Sequence, residues 1–118
     1  LVKNQKKLSK IINENNFSSE DTIIIIRAFL LKAKRLLNLR ENNRLNPNLE
    51  TVISSYKPPI FWKEKEIVKQ QLKIWSEEKL IKLINEINNT ELLIKKNINI
   101  SLNILLNFIF ANSKVPNN

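Results

Sequence analysis

Between Glu20 and Asn42, apolar residues return every three or four positions. Ile23, Ile26, Leu30, Ala33 and Leu37 therefore line one face of a single long helix. No stretch alternates with the period of two that a half-buried strand requires. The chain is expected to be all-α, a single helical bundle of five to six helices joined by short loops. The long helix carries a second apolar stripe, Ile24, Ala28, Leu31 and Leu39, on roughly the opposite side. A helix apolar on two sides is either central or meets core on one side and a partner on the other. Arg27, Lys34, Arg35 and Asn38 fill the gap between the stripes. Near the helix C-terminus, Lys34, Arg35 and Arg40 complement the helix dipole.

The other elements follow from their punctuation. Val2 to about Asn13 reads as a short amphipathic helix, with Val2, Leu8, Ile11 and Ile12 apolar against four lysines. Ser18 or Ser19 is placed to cap the long helix, with Glu20 and Asp21 in its first turn. After a loop, Pro47 suits the first turn of a short helix capped by Asn46, and Leu49, Val52, Ile53 and Tyr56 form its buried face. Lys57 precedes Pro58 and is pushed out of helical geometry, which ends that helix. Pro58 and Pro59 turn the chain, and Phe61 and Trp62 are expected to plug the core at this corner. A helix then runs from about Lys63 to Ile74, with Ile67, Val68, Gln71, Leu72 and Trp75 on one face.

Ser76 caps the next helix, which runs to about Lys96 on the apolar face of Leu80, Leu83, Ile84, Ile87 and Ile94. Asn97 to Asn99 is a turn. Ser101 or Asn99 caps a last helix through about Ala111, with Leu102, Leu105, Leu106, Ile109 and Phe110 facing the core. The remaining residues form a frayed tail.

Several chemistries are excluded by composition. Without glycine there is neither a Walker loop nor a dinucleotide fingerprint, since both need glycine where backbone approaches phosphate. Without histidine or cysteine the usual zinc ligands, the commonest general base, the thiol nucleophile and any disulfide are missing. No catalytic, cofactor or metal site is expected, and the segment is read as non-catalytic. There is no methionine either, so the chain reads as part of a longer protein. No signal peptide or membrane span is recognised, because the run Ile23 to Ile26 stops at Arg27, far short of the roughly 20 residues a bilayer needs. A cytoplasmic protein with no membrane partner is the expectation.

The net charge of +9 favours polyanion partners, although a coding bias toward Lys, Asn and Ile also yields a basic chain. Two groups of side chains are candidates for function. Lys65, Lys69 and Lys73, spaced i, i+4, i+8, form a stripe that is either a solvated face or a phosphate- or carboxylate-facing ladder, and Lys34 and Arg35 are further basic candidates. Glu91 and Lys95 fall within an apolar face, in the i, i+4 order that pairs best. They are either a pair near the helix end whose stems snorkel to water or a pair at the edge of the core that meets another subunit or a ligand.

The ordered set Pro58-Pro59-Ile60-Phe61-Trp62, then Lys63 and Lys65, then Gln71-Leu72-x-x-Trp75-Ser76, then Glu91-Leu92-x-x-Lys95 resembles the C-terminal domain of the delta subunit of bacterial DNA polymerase III. The upstream helix, with Arg27 and Arg35-Leu36-Leu37, is similar to that family's long helix. The likeness covers about Ser19 to Phe110. It implies a C-terminal oligomerisation domain of the clamp-loader collar, spanning 1–118, that follows two AAA+-type domains not contained in this chain. The implied partners are the gamma/tau and delta-prime loader subunits, the sliding clamp through the missing N-terminal domain, and primer–template DNA. The implied role is to help assemble the loader that places the clamp on primed DNA during replication. Ile98 stands where an aromatic would favour base stacking in the turn after Lys95. A free-standing basic module that binds nucleic acid, and a helical adaptor that binds only protein, remain alternatives.

Overall fold

The structure, a computed structural model, describes residues 18–113; the helix expected over Val2–Asn13 and the tail from Lys114 onward lie outside the described residues. Helix α1 spans Ser19–Leu45, α2 Leu49–Ser55, α3 Lys65–Ile74, α4 Glu77–Lys96 and α5 Ser101–Ala111, with 3-10 turns at Trp62–Glu64 and Ile98–Ile100. No strand occurs among the described residues, and the fold is an all-α bundle.

Local chemistry explains the helix starts. The Ser18 hydroxyl accepts the Asp21 N–H at 3.2 Å, and the Asp21 carboxylate accepts the Ser18 N–H at 3.0 Å. This reciprocal capping box satisfies two donors that the first turn of α1 would otherwise leave orphaned. Asn48 caps α2 by accepting the Thr51 N–H at 3.3 Å, and Ser76 caps α4 by accepting the Lys79 N–H at 3.2 Å. The expected cap at Asn46 moves to Asn48 because α1 continues to Leu45. Asn46 then ends α1, its N–H donating to the Asn42 carbonyl at 3.0 Å. Neither Ser101 nor Asn99 caps α5: the Ile98–Ile100 turn leads straight into it and Ser101 is its first residue, buried.

Two ion pairs define the central packing. Arg27 meets Glu91 at 3.3 Å and Arg44 meets Glu77 at 2.7 Å, so α1 and α4 run antiparallel. Ile26, Ala33 and Leu36 of α1 interlock there with Leu80, Leu83 and Ile87 of α4, all buried. Removing each large side chain from water contributes about 1.5–3 kcal/mol. Thr22 and Thr90 are also buried in this layer; each hydroxyl donates to a carbonyl of its own helix, at 2.6 Å to Ser19 and 2.7 Å to Glu86, so neither hydroxyl is stranded. Beyond α4 the chain bends by 115° into the stretch that contains α5. Helix α5 closes the bundle with Leu105, Phe108 and Ile109, and Phe108 stacks at a tilt on Phe29 of α1, ring centroids 6.0 Å apart.

Helices α2 and α3 pack along α1 without closing over Ile24 and Leu31. Val52, Ile53, Val68 and Leu72 are buried against it, and Arg40 donates to the Leu72 carbonyl at 2.8 Å, satisfying an orphan acceptor in the last turn of α3. The second apolar stripe of α1 is therefore split. Leu39 is fully buried, whereas Ile24 and Leu31 are 66% and 70% exposed.

Three expectations about side chains are corrected. Phe61 and Trp62 do not plug the core. Ile60 takes the buried position at the corner, and the 3-10 turn that follows, closed by Glu64 N–H to the Phe61 carbonyl at 2.8 Å, leaves the two aromatics 54% and 69% exposed. Trp75, at the end of α3, is buried instead. Phe110 lies outside the core and Phe108 inside it, because the bend before α5 rotates the face presented to α4. Ile67 is exposed rather than core-facing, since no helix lies over that side of α3.

Candidate interaction surfaces

Glu91 sits on α4 one turn before the helix end. Its Oε2 accepts Lys95 Nζ at 2.8 Å and Arg27 Nη2 at 3.3 Å, with Arg27 Nε at 3.4 Å. The i, i+4 pair expected from the sequence is thus one side of a triad. Its carboxylate is mostly covered, while both cations remain about half exposed. Only the antiparallel register of α1 and α4 brings Arg27 near this pair. The hydrogen bond from Lys95 holds the Glu91 carboxyl below the ordinary glutamate value of 4.5, with Arg27 adding to the effect and partial burial opposing it.

A carboxyl whose folded-state pKa is depressed stabilises the fold above its unfolded pKa. That contribution is lost as pH falls through the folded value. Glu91→Gln is therefore expected to lower stability at pH 7 by about 1 kcal/mol or less, the range of partly exposed ion pairs. The difference between the two proteins should shrink below pH 4.5 and vanish under the folded-state pKa. Urea midpoints measured across that range check it, and a constant offset would remove the triad from the account.

The basic candidates do not form one continuous ladder. Lys69 is neutralised by Glu50 of α2, and by Glu66 at 3.7 Å. Lys65 is half-buried; neither it nor the exposed Lys34 and Lys73 makes an ion pair among the described residues. Arg35 is turned inward to Glu64 at 3.4 Å, an oxygen it shares with Lys32 at 3.9 Å.

The corner holds a different feature. Pro58 and Pro59 are exposed, and the Lys57–Pro58 peptide is cis. Phe61 and Trp62 lie against each other, centroids 5.9 Å apart, with Lys63 Nζ 5.3 Å from the Trp62 ring centroid. This is a solvent-facing aromatic pair beside cationic side chains. Uncovered apolar side chains occur in two further places: Ile24, Leu31 and Ile67 on α1 and α3, and Leu93, Ile98 and Ile100 around the bend between α4 and α5.

Among the described residues there is no cluster of three or more metal-ligating side chains, and no single helix is long and apolar enough to cross a membrane. Fold and surface together define a small basic helical bundle with apolar faces left open. No protein family, curated protein or solved structure matches the chain.

Proposed function

We propose that this domain is an assembly module, the collar domain of a delta-type clamp-loader subunit, which joins gamma/tau-type and delta-prime-type partners in placing a sliding clamp on primed DNA. The observation that carries the reading is the apolar surface left uncovered in two separate places. Single exposed apolar residues are ordinary, but grouped ones mark surfaces that another chain covers. A collar member meets a neighbour on each side, and two open apolar regions fit that arrangement. The ordered resemblance over Pro58–Trp62, Trp75-Ser76 and Glu91/Lys95 supports this reading, and the all-α architecture is compatible with it.

In this reading the Arg27–Glu91–Lys95 triad lies at a subunit seam. Reversing Glu91 with Glu91→Lys places a third cation beside Arg27 and Lys95 and lowers the stability of the isolated domain, and it is expected to weaken assembly with the loader partners at least tenfold, a larger effect than that loss of stability. Equal effects on both would return the triad to a purely internal role.

The parent loader acts on primer–template DNA, and the Phe61–Trp62 corner supports a contact there. Exposed aromatics accept stacked bases whatever their sequence, and flanking lysines hold phosphate. Trp62→Ala should weaken binding of the assembled loader to primed DNA by about 1–3 kcal/mol for each stacked base lost. Fluorescence anisotropy over a salt series reads this, and an unchanged affinity would remove DNA from the role of this corner.

A further inference from the structure

Helices α1 and α3 enclose an open groove of about 580 Å³. Its apolar walls include Ile24, Ala28 and Phe29 of α1 and Ile67 and Val68 of α3, and its polar edge is Lys32, Arg35, Glu64 and Gln71. Ile24 and Ile67 are both more than half exposed within it. Along α1 the groove runs from Ile24 to Arg35, about 16 Å at 1.5 Å per residue, or about three helical turns.

Charge at one end of the groove is unbalanced. Lys32 and Arg35 share a single oxygen of Glu64, both at long range, 3.9 and 3.4 Å. Arg35 Nε is shielded from solvent and has no hydrogen-bond partner at all. A guanidinium is best satisfied by two parallel bonds to one carboxylate, and one long bond to Glu64 falls short of that. The end of the groove therefore sets two cations against one carboxylate.

We propose that the groove between α1 and α3 docks an acidic amphipathic helix of a partner chain. Apolar residues of that helix at i, i+4 and i+7 would cover Ile24, Ala28 and Ile67, and an Asp or Glu at one end would complete the partners of Arg35 and Lys32. A helix suits the groove because it satisfies its own backbone while presenting one apolar edge over three turns. A second copy of this chain is disfavoured by charge, since each copy carries +9. The inference deepens the assembly reading by naming the chemistry of the partner, and rests only on that part of it in which another chain covers α1.

The test uses the full chain and a fluorescein-labelled amphipathic peptide of about fifteen residues, long enough for the three turns. Leucines occupy the i, i+4, i+7 positions and glutamates the flanks. A scrambled peptide of the same composition and a lysine-for-glutamate version serve as controls. Expected are saturable binding of the acidic helix, at least tenfold weaker binding of both controls, and at least tenfold loss in Ile24→Asp and Ile67→Asp, whose exposed positions leave folding intact by circular dichroism. Arg35→Gln should reduce the preference for the acidic over the lysine version. Equal binding of the scrambled peptide, or indifference to Ile24→Asp and Ile67→Asp, would overturn the proposal. So would a dimer of the chain alone, seen by sedimentation and dispersed by Ile24→Asp, because the occupant would then be a second copy. Groove-dependent binding in a protein that does not join loader subunits upholds the groove and removes only the loader assignment.

Discussion

Leu39→Ala is expected to destabilise the domain by about 2–5 kcal/mol, whereas Leu31→Ala should change stability by less than about 0.5 kcal/mol. The two leucines belong to the same stripe of α1, yet Leu39 is fully buried and Leu31 is 70% exposed. At Leu39 the substitution removes buried methyl groups and leaves a cavity where α2 and α3 fold back on α1. At Leu31 the side chain already faces water. Urea unfolding reads both, with an unchanged slope indicating that stability alone has altered. Equal costs would mean that another element covers Leu31 in the isolated chain, and the open face of α1 would disappear from the account.

Trp75→Ala is the second large effect, with an expected loss of about 3–5 kcal/mol, against almost none for Trp62→Ala. Trp75 is buried at the end of α3, one face of which also buries Val68 and Leu72, while Trp62 is 69% exposed. The chain has only these two tryptophans, so each can be followed by its own fluorescence once the other is replaced by Phe. Iodide should quench Trp62 strongly and Trp75 weakly. Strong quenching of Trp75, or a large destabilisation on removing Trp62, would reverse their places in the fold.

These two residues also mark what the sequence discloses. The face of α4 is legible because Leu80, Leu83 and Ile87 repeat on one side with polar residues opposite, and all three are buried. Ser76 is legible as a cap, and the cap of α1 to within Ser18 or Ser19, because a short hydroxyl followed by acidic residues has few other uses at a helix start. The split of the second stripe of α1 was not legible, since periodicity reports which side of a helix is apolar and not how far along it a neighbour extends. The corner at Pro58-Pro59 departs from the expected burial for a related reason. Large aromatics are usually buried, but the 3-10 turn at Trp62–Glu64 gives the inward position to Ile60, and single-residue tendencies carry no information about that rotation.

The candidate pair shows both sides of the same limit. Glu91 and Lys95 could be paired from their spacing alone because both lie on one helix. Arg27 lies 64 residues from Glu91 along the chain and joins them only through the antiparallel register of α1 and α4. In the same way Lys69 reads as part of a free basic stripe until tertiary packing brings Glu50 of α2 to it. Charge patterns along one helix thus overstate the free basic surface, and the exposed Lys34 and Lys73 are better candidates for polyanion contact than Lys69.

The central claim is that this domain assembles with clamp-loader partners. Size determination after mixing the protein with gamma/tau-type and delta-prime-type subunits tests it most directly. The account predicts one stoichiometric complex that elutes ahead of every component and is weakened at least tenfold by Glu91→Lys. Separate elution of the components at concentrations well above micromolar would contradict it.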